Sequence, residues 1–110
     1  MEGLIVEWSE REFKEIRPGI LGATIHTAEL TATLYRYEPE SHWEEHRHTE
    51  DQITSVVRGT IQFIVDGRPV PLTEGQLAAL PGGILHSALA GADGAETLNI
   101  WTRRCGPGDD

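Results

Sequence analysis

The chain has 110 residues, with 18 acidic side chains against 9 Lys and Arg, and its formal net charge at pH 7 is −9. This length is typical of one domain, so we expect residues 1–110 to fold around one core. No basic run or patch interrupts the acidic balance, which argues against nucleic acid and against an anionic membrane surface as partners. The one cysteine, Cys105, permits no intrachain disulfide and fits a reducing compartment.

The N-terminus lacks the pattern of a secreted protein. It has an acidic residue at position 2 and only a short apolar run, which differs from a signal peptide. No apolar stretch approaches the roughly 20 residues that a membrane-spanning helix needs. We therefore expect a cytoplasmic protein.

Short segments rich in β-branched and aromatic residues, punctuated by turn residues, run along most of the chain. The first predicted elements are a strand over Leu4–Trp8 and a helical turn over Glu10–Ile16. Further strands are predicted at Leu21–His26, Leu30–Tyr37, His46–Val57, Thr60–Val65, Pro69–Leu72, Gln76–Leu80, Ile84–Leu89 and Glu96–Thr102. The breaks between them are turns at Glu38–Ser41, Asp66–Gly67 and Pro81–Gly83 and a loop at Ala90–Ala95. This pattern indicates an all-β sandwich or barrel with its core over about residues 20–103 and a mobile tail at 104–110.

Two histidine-containing motifs lie in the middle of the chain. They read His46-x-His48-x3-Gln52-x6-Gly59 and Gly75-x5-Pro81-x-Gly83-x2-His86. Residues two apart on an extended strand point to the same face, so the first motif directs two imidazoles one way. The second motif brings a third imidazole after a turn. Three imidazoles and the amide oxygen of Gln52 make a plausible set of ligands for a divalent transition metal, with room for a further ligand.

Together the motifs resemble those of the cupin family, G-x5-HxH-x3,4-E-x6-G and G-x5-PxG-x2-H-x3-N. The resemblance spans roughly residues 30–103. It implies an all-β fold, the small jelly-roll barrel called a double-stranded β-helix, with the metal inside its mouth. The positions in register are His46, His48, Gly59, Gly75, Pro81, Gly83 and His86.

The chain departs from the family pattern at three positions. Glu40 stands at the first glycine, Ala90 stands at the asparagine, and Gln52 stands at the glutamate. An amide oxygen brings no negative charge, so the metal keeps its full double charge and becomes a stronger Lewis acid and anion binder. The same change weakens the affinity for the metal itself.

With Gln52 included, the first motif resembles that of the pectin-degradation cupins, which promote linearisation of unsaturated uronates. That resemblance implies a metal shell of His46, His48, His86 and Gln52. It also implies an Asp, a Phe and an Arg near the end of the last strand. The nearest positions here are Asn99, Trp101 and Arg103 or Arg104. Asn99 is therefore the catalytic candidate, as a hydrogen-bonding partner of the substrate, although an amide cannot act as an acid or base.

Aromatic side chains near the motifs are candidates for substrate contact. Trp43 lies three residues before the first histidine, and Phe63 and Trp101 lie on strands that can face the cavity. We predict that Trp43, Phe63 and Trp101 contact the substrate, with Trp101 packing on a ring and Arg103 pairing with a carboxylate. Core packing is the simpler interpretation of each aromatic residue.

Several other polar residues receive simpler assignments. His26 is predicted to be a strand histidine, and His42 is predicted to face solvent. Arg36 lies between two tyrosines on a predicted strand, and the sequence leaves open which face of this strand points inward. The acidic residues around the first motif, Glu44, Glu45, Glu50 and Asp51, are solvated loop carboxylates by default, and one of them is a possible general base through water.

Three functions follow from this pattern. The leading hypothesis is an enzyme that uses one divalent metal, Fe, Mn, Ni or Zn, to act on a small anionic substrate such as an unsaturated uronate. The second is a dioxygenase of the quercetin-cleaving kind. The third is a sugar- or ligand-binding cupin without catalysis, or one whose metal is mainly structural.

The resemblance also implies a homodimer formed through an N-terminal strand, for which Leu4–Trp8 is the candidate.

Overall fold

The computed structural model describes residues 5–102, and its regular structure is almost entirely antiparallel β-sheet. One short 3-10 helix, Trp8–Glu10, precedes eight strands. The strands are β1 (Lys14–Arg17), β2 (Ile20–His26), β3 (Leu30–Tyr37), β4 (His42–His46), β5 (Gln52–Val65), β6 (Arg68–Thr73), β7 (Leu77–Leu80) and β8 (His86–Thr102). The predicted all-β class is confirmed. Within residues 5–102, no helix is long and apolar enough to cross a membrane.

Two long strands, β5 and β8, hold the fold together. The first half of β5 pairs with β7 and with the second half of β8. The second half of β5 pairs with β6 and with the first half of β8. On its other edge β8 pairs first with β4 and then with β3, which continues to β2 and β1. Each long strand therefore passes from one layer to the other, as in a jelly roll.

The passage between layers uses β-bulges in β5. Its register against β8 shifts between Val56 and Arg58 and again between Gly59 and Ile61. Before the bulges the buried side chains of β5 alternate at even positions, and after them they lie at odd positions, as in Ile61. An extra residue reverses which side chains face inward, which keeps both halves of the strand facing the same interior. Gly59 has a φ of 78° and lies directly against the Gly94 carbonyl, where a side chain would collide.

Three of the predicted boundaries are wrong. Residues 57–60 do not break the strand, because β5 bends there without losing its pairing. Ala90–Ala95 is not a loop. The segment belongs to β8, which bends opposite the bulges of β5 and remains hydrogen-bonded in the sheet. The predicted strand at His46–Val57 is interrupted, since β4 ends at His46 and β5 begins at Gln52. His48 therefore lies between strands.

The N-terminal predictions also need correction. Trp8 opens a 3-10 helix, and Ile5–Glu7 has no regular structure, so the described part of the predicted strand is not in the sheet. The end of the predicted helical turn is instead strand β1, whose backbone pairs with β2 at the edge of the sheet. Leu4, Arg103, Arg104, Cys105 and the predicted tail at 104–110 lie outside the described residues.

The interior of the barrel divides into an apolar and a polar part. The apolar core includes Ile20, Tyr35, Tyr37, Val56, Ile61, Phe63, Leu72, Leu80 and Ala95. At the other end of the interior β3, β5 and β8 bury a group of polar side chains instead: Thr31, Thr33, Gln52, Thr54, His86, Thr97 and Asn99. Buried polar groups require hydrogen-bond partners, so this group marks where a functional site is to be sought.

Candidate metal centre

The three motif histidines meet at the mouth of the barrel. His46 at the end of β4 pairs directly with His86 at the start of β8, and His48 follows in the connection to β5. One ring nitrogen from each imidazole lies within 4.8 Å of the others. The ring centroids of His46 and His86 are 4.3 Å apart, and those of His48 and His86 are 5.0 Å apart. The sequence prediction that these three side chains converge agrees with this geometry.

Backbone carbonyls orient all three rings. The Nδ1 atoms of His46, His48 and His86 lie 2.8, 3.0 and 3.0 Å from the carbonyl oxygens of Glu44, Glu50 and Ile84. A carbonyl oxygen only accepts hydrogen bonds, so each Nδ1 carries a hydrogen and donates it. In a neutral ring the Nε2 atom then holds a lone pair. A second partner that fixes the tautomer in this way is typical of histidines that bind metals.

The surroundings favour the neutral rings. Burial lowers the pKa of His46, and it also lowers the pKa of His86. The Nε2 atom of His86 is buried and has no hydrogen-bond partner among the described residues. A buried lone pair without a partner costs free energy. A metal ion bound at this nitrogen would satisfy it, so the three residues fit a divalent transition metal.

The side chain of Gln52 lies beside the three histidines. This residue opens β5 and is buried, and its Oε1 atom lies 3.0 Å from Nε2 of His48. The Gln52 amide nitrogen is directed away, 2.7 Å from the hydroxyl of Thr54. When the His48 ring is neutral, its Nε2 lone pair faces a lone pair of Gln52 Oε1 across 3.0 Å. A cation between them turns this contact into an attraction, and an amide oxygen is a normal ligand for it.

Asn99 is buried beneath Gln52, with its amide fully engaged. Its Oδ1 atom accepts from the Thr54 hydroxyl at 2.6 Å and from the Gln52 amide at 3.4 Å. Its Nδ2 atom donates to Thr97 Oγ1 at 2.9 Å and to the Thr97 and Thr33 carbonyl oxygens at 3.2 and 3.4 Å. Asn99 also lines the cavity. The predicted hydrogen bond from Asn99 to a substrate stays a prediction, since protein groups already occupy the amide.

A cavity of about 210 Å³ opens above the histidines. Trp43 stands beside His46, with ring centroids 5.8 Å apart, and Trp101 stands beside His48 at 6.5 Å. Phe63 lies deeper, 6.5 Å from His86 and almost completely buried. All three predicted aromatic residues line the cavity. The aromatic walls and the enclosed volume suit a small molecule.

The lining of the cavity shows which face of β3 points inward. Tyr35 and Tyr37 point inward and line it, and Arg36 points outward. Arg36 pairs with Glu96 at 3.1 Å, so it is unavailable as a carboxylate clamp inside the barrel. Burial raises the pKa of Tyr37, which keeps its phenol protonated.

Two charged cavity residues were not singled out from the sequence. Arg17 of β1 has its guanidinium carbon 4.7 Å above the ring of Trp43, and it is the one Lys or Arg among the described lining residues. Glu50 is the one carboxylate among the lining residues that the structure describes, with Oε1 3.6 Å from Nδ1 of His48. Arg17 carries no local signal, because the sequence predicts a helical turn that ends at Ile16 and no strand that would direct Arg17 toward the cavity. Glu50 was only one of four acidic candidates, and its neighbour Asp51 accepts from the Gly82 backbone at 2.8 Å.

The remaining histidines lie apart from the site. His26 of β2 bonds the hydroxyl of Thr31 through Nδ1 at 2.8 Å, which agrees with a strand histidine. His42 is exposed, as expected. The predicted substrate contact of Arg103 lies outside the described residues.

Comparison with known proteins gives a family and several similar structures. The cupin domain profile matches residues 33–101. No curated protein matches the chain. The fold is similar to KdgF from Halomonas sp., with a TM-score of 0.82, 24% identity, and coverage of 88% of this chain and 90% of that one.

Two further structures share the fold. An RmlC-like cupin from Shewanella frigidimarina has a TM-score of 0.85 and 22% identity over 92% of this chain and 91% of that one. Salicylate 1,2-dioxygenase from Pseudoaminobacter salicylatoxidans, solved with gentisate, has a TM-score of 0.74 and 13% identity. The match covers 78% of this chain and 26% of that one.

Proposed function

Because the chain belongs to the cupin family, we propose that His46, His48, Gln52 and His86 bind one divalent transition metal. The observation that carries this proposal is the convergence of three imidazoles whose Nδ1 atoms are all engaged by backbone carbonyls. Iron, manganese, nickel and zinc all accept imidazole nitrogen and amide oxygen. Four protein ligands leave up to two positions for a substrate or water.

We further propose that the protein is an enzyme for a small anionic, oxygen-rich substrate, of which an unsaturated uronate is the best candidate. When bound, the metal supplies Lewis acidity that polarises a substrate oxygen. The uronate assignment rests on the His-x-His-x3-Gln resemblance and on the chemistry of the cavity. Its walls combine aromatic faces, which pack on a sugar ring, with the cation of Arg17, which attracts a carboxylate.

The chain supplies two further functions around such a substrate. Trp43 and Trp101 flank the histidines and would shield one side of the bound sugar ring from water. Linearisation of an unsaturated uronate moves a proton, which requires a group that accepts and returns it. We assign this role to Glu50, which lies beside His48 at the wall of the cavity and is its one carboxylate among the described residues.

The test uses protein stripped of metal and reloaded with iron, manganese, nickel or zinc. Each form is mixed with 4,5-unsaturated galacturonate, and loss of the enol-ether absorbance is followed. We expect acceleration with at least one metal and none in His48→Ala. A matched His42→Ala variant, which changes an exposed histidine outside the site, should behave as wild type.

Absence of acceleration with every metal would refute the uronate proposal. The same loaded proteins are then mixed with phenolic and diketone substrates under oxygen. Oxygen consumption would assign the second function, a dioxygenase. Tight sugar binding without turnover would assign a binding protein.

We also propose a homodimer, which the family resemblance implies. Apolar side chains are exposed on the outer face of the sheet, where Ile53 of β5 pairs with Ile100 of β8. Ile53, Val57, Leu77 and Ile100 are 45%, 51%, 57% and 37% exposed. An apolar face on a protein of net charge −9 is the surface on which a second copy can dock with little charge repulsion.

A further inference from the structure

A strip of buried polar side chains runs through the sheet beneath Gln52. Asn99 of β8 lies between its two cross-strand partners, Thr33 of β3 and Thr54 of β5. Together with Thr97 these side chains are at most 2% exposed. Placing four polar residues side by side in a barrel interior is costly unless each hydrogen bond is made. Here the side chains of Thr54, Asn99 and Thr97 bond to one another, and the Thr33 hydroxyl bonds to that of Thr24.

In this strip, the donor and acceptor of each hydrogen bond fix the donor and acceptor of the next. The carbonyl oxygens of Thr33 and Thr97 accept only, so they draw the Asn99 amide nitrogen and turn its Oδ1 atom toward Thr54. The Thr54 hydroxyl donates its one hydrogen to Oδ1 at 2.6 Å. Its lone pair is then left to accept from the Gln52 amide nitrogen at 2.7 Å. Oε1 of Gln52 is thereby left facing His48.

We propose that this relay from Thr97 through Asn99 and Thr54 positions Gln52 by selecting which end of its carboxamide faces the metal. The inference rests on the proposed metal centre. A carboxamide has nearly the same shape in its two orientations, so packing alone discriminates poorly between them. The wrong orientation would present two N–H hydrogens to a cation. Two backbone carbonyls, which cannot reverse, decide the orientation of the Gln52 carboxamide through two intervening side chains, Asn99 and Thr54.

The relay also explains why residue 99 is Asn in this chain. A carboxylate at this position would face the carbonyl oxygens of Thr33 and Thr97, which lie 3.4 and 3.2 Å from the present amide nitrogen. Three acceptors without a hydrogen would repel one another in a buried site. Asn99 is therefore a positioning residue in this proposal, and it acts on the metal through Gln52.

The test measures metal affinity without any substrate. Zinc affinity is determined by competition with a chromogenic chelator, and the visible spectrum of the cobalt-loaded protein reports the ligand set. Thr54→Val removes the relay hydroxyl and keeps the side-chain shape, so we expect zinc to bind about tenfold more weakly, as for other residues that orient a ligand. The cobalt spectrum should also change. Thr54→Ser restores a hydroxyl and should restore both.

A matched control separates the relay from general destabilisation. Thr33→Val also removes a buried hydroxyl, which lies 2.7 Å from the Thr24 hydroxyl, but it keeps the carbonyl that holds Asn99. We expect wild-type zinc affinity in this variant. Equal affinity and an unchanged cobalt spectrum in Thr54→Val would overturn the relay and leave the metal centre standing. Failure of the wild type to bind any metal would instead refute the metal centre itself.

Discussion

In each motif histidine, a hydrogen bond to a backbone carbonyl engages one ring nitrogen and leaves the other without a backbone partner. The carbonyls of Glu44, Glu50 and Ile84 hold the three Nδ1 hydrogens, which leaves Nε2 as the atom with the lone pair in each neutral ring. These contacts are local, within two residues of each histidine. Residues close to each motif histidine in the sequence therefore set the tautomer of its ring.

The lowered pKa values make the stability of the metal-free protein depend on pH. Below the ordinary histidine pKa of 6.5, the unfolded chain takes up protons that the folded His46 and His86 resist. The free energy of unfolding therefore decreases as the pH falls below this value. We expect urea unfolding of metal-free protein to show a smaller decrease between pH 7.5 and pH 5.5 in His86→Gln than in wild type. His42→Gln is the control, and an identical decrease in all three proteins would contradict the prediction.

Arg17 gives a prediction about the charge of the ligand. We expect metal-loaded protein to bind galacturonate more tightly than its methyl ester, with binding followed by tryptophan fluorescence since Trp43 contacts Arg17. Arg17→Gln should weaken galacturonate binding about fivefold, because an exposed ion pair contributes no more than about 1 kcal/mol. Arg68→Gln removes an exposed arginine of β6 outside the cavity lining and should have no effect. Unchanged preference for the acid in Arg17→Gln would remove this residue from the substrate site.

At the scale of the elements, the bends of β5 and β8 make the site possible. The first half of β8 places His86 opposite His46, and the second half places Asn99 beside Thr54. One strand thus contributes to both layers. Without the reversal at the bulges, half of the inward-facing side chains would point to solvent.

The bend in β5 depends on Gly59 in a measurable way. Gly59 and Gly67 have φ values of 78° and 81°, so an added side chain is strained at both positions. Only at Gly59 does the added carbon also meet the backbone of Gly94, whereas Gly67 has open space around it. We expect Gly67→Ala to lower the free energy of unfolding by about 1–2 kcal/mol. Gly59→Ala should cost clearly more in urea unfolding, and equal losses would show that the bend tolerates a side chain.

In the molecule as a whole, one end of the barrel inverts the usual distribution of polarity. Polar side chains lie in its interior, and apolar side chains are exposed on its outer face. Threonines, Asn99, Gln52 and His86 occupy the inside, and the exposed Ile53, Leu77 and Ile100 lie outside. The polar interior serves the metal centre in our proposal, and the apolar exterior serves a second copy. The two features lie on opposite sides of the same strands.

Light scattering tests the dimer and its surface. We expect the wild type to be a dimer and Leu77→Glu, which places a charge on the most exposed residue of the outer face, to be a monomer. Leu89→Glu is the control, an exposed leucine on β8 whose neighbours belong to the other layer. Deleting residues 1–9 tests the N-terminal strand implied by the family. A monomer after deletion and a dimer in Leu77→Glu would move the interface to that segment.

Sequence patterns predicted much of this protein. Leu30–Tyr37 and the turn at Asp66–Gly67 coincide with observed elements, because alternation and turn chemistry act between near neighbours. The motif spacing likewise indicated which three histidines converge. The pattern could not show that Ala90–Ala95 stays in the sheet, since a bulge preserves pairing while its glycines resemble those of a loop.

The all-β class, the turns and the set of three histidines follow from the amino-acid pattern, because periodicity and motif spacing are properties of neighbouring residues. Three contacts became visible only in the folded chain: Arg17 covers Trp43, the tyrosines of β3 face inward, and Asn99 accepts a hydrogen bond from Gln52. These contacts join residues far apart in the chain, such as 52 and 99. Their geometry depends on strand register and on the direction of each hydrogen bond, and neither is written in the local pattern.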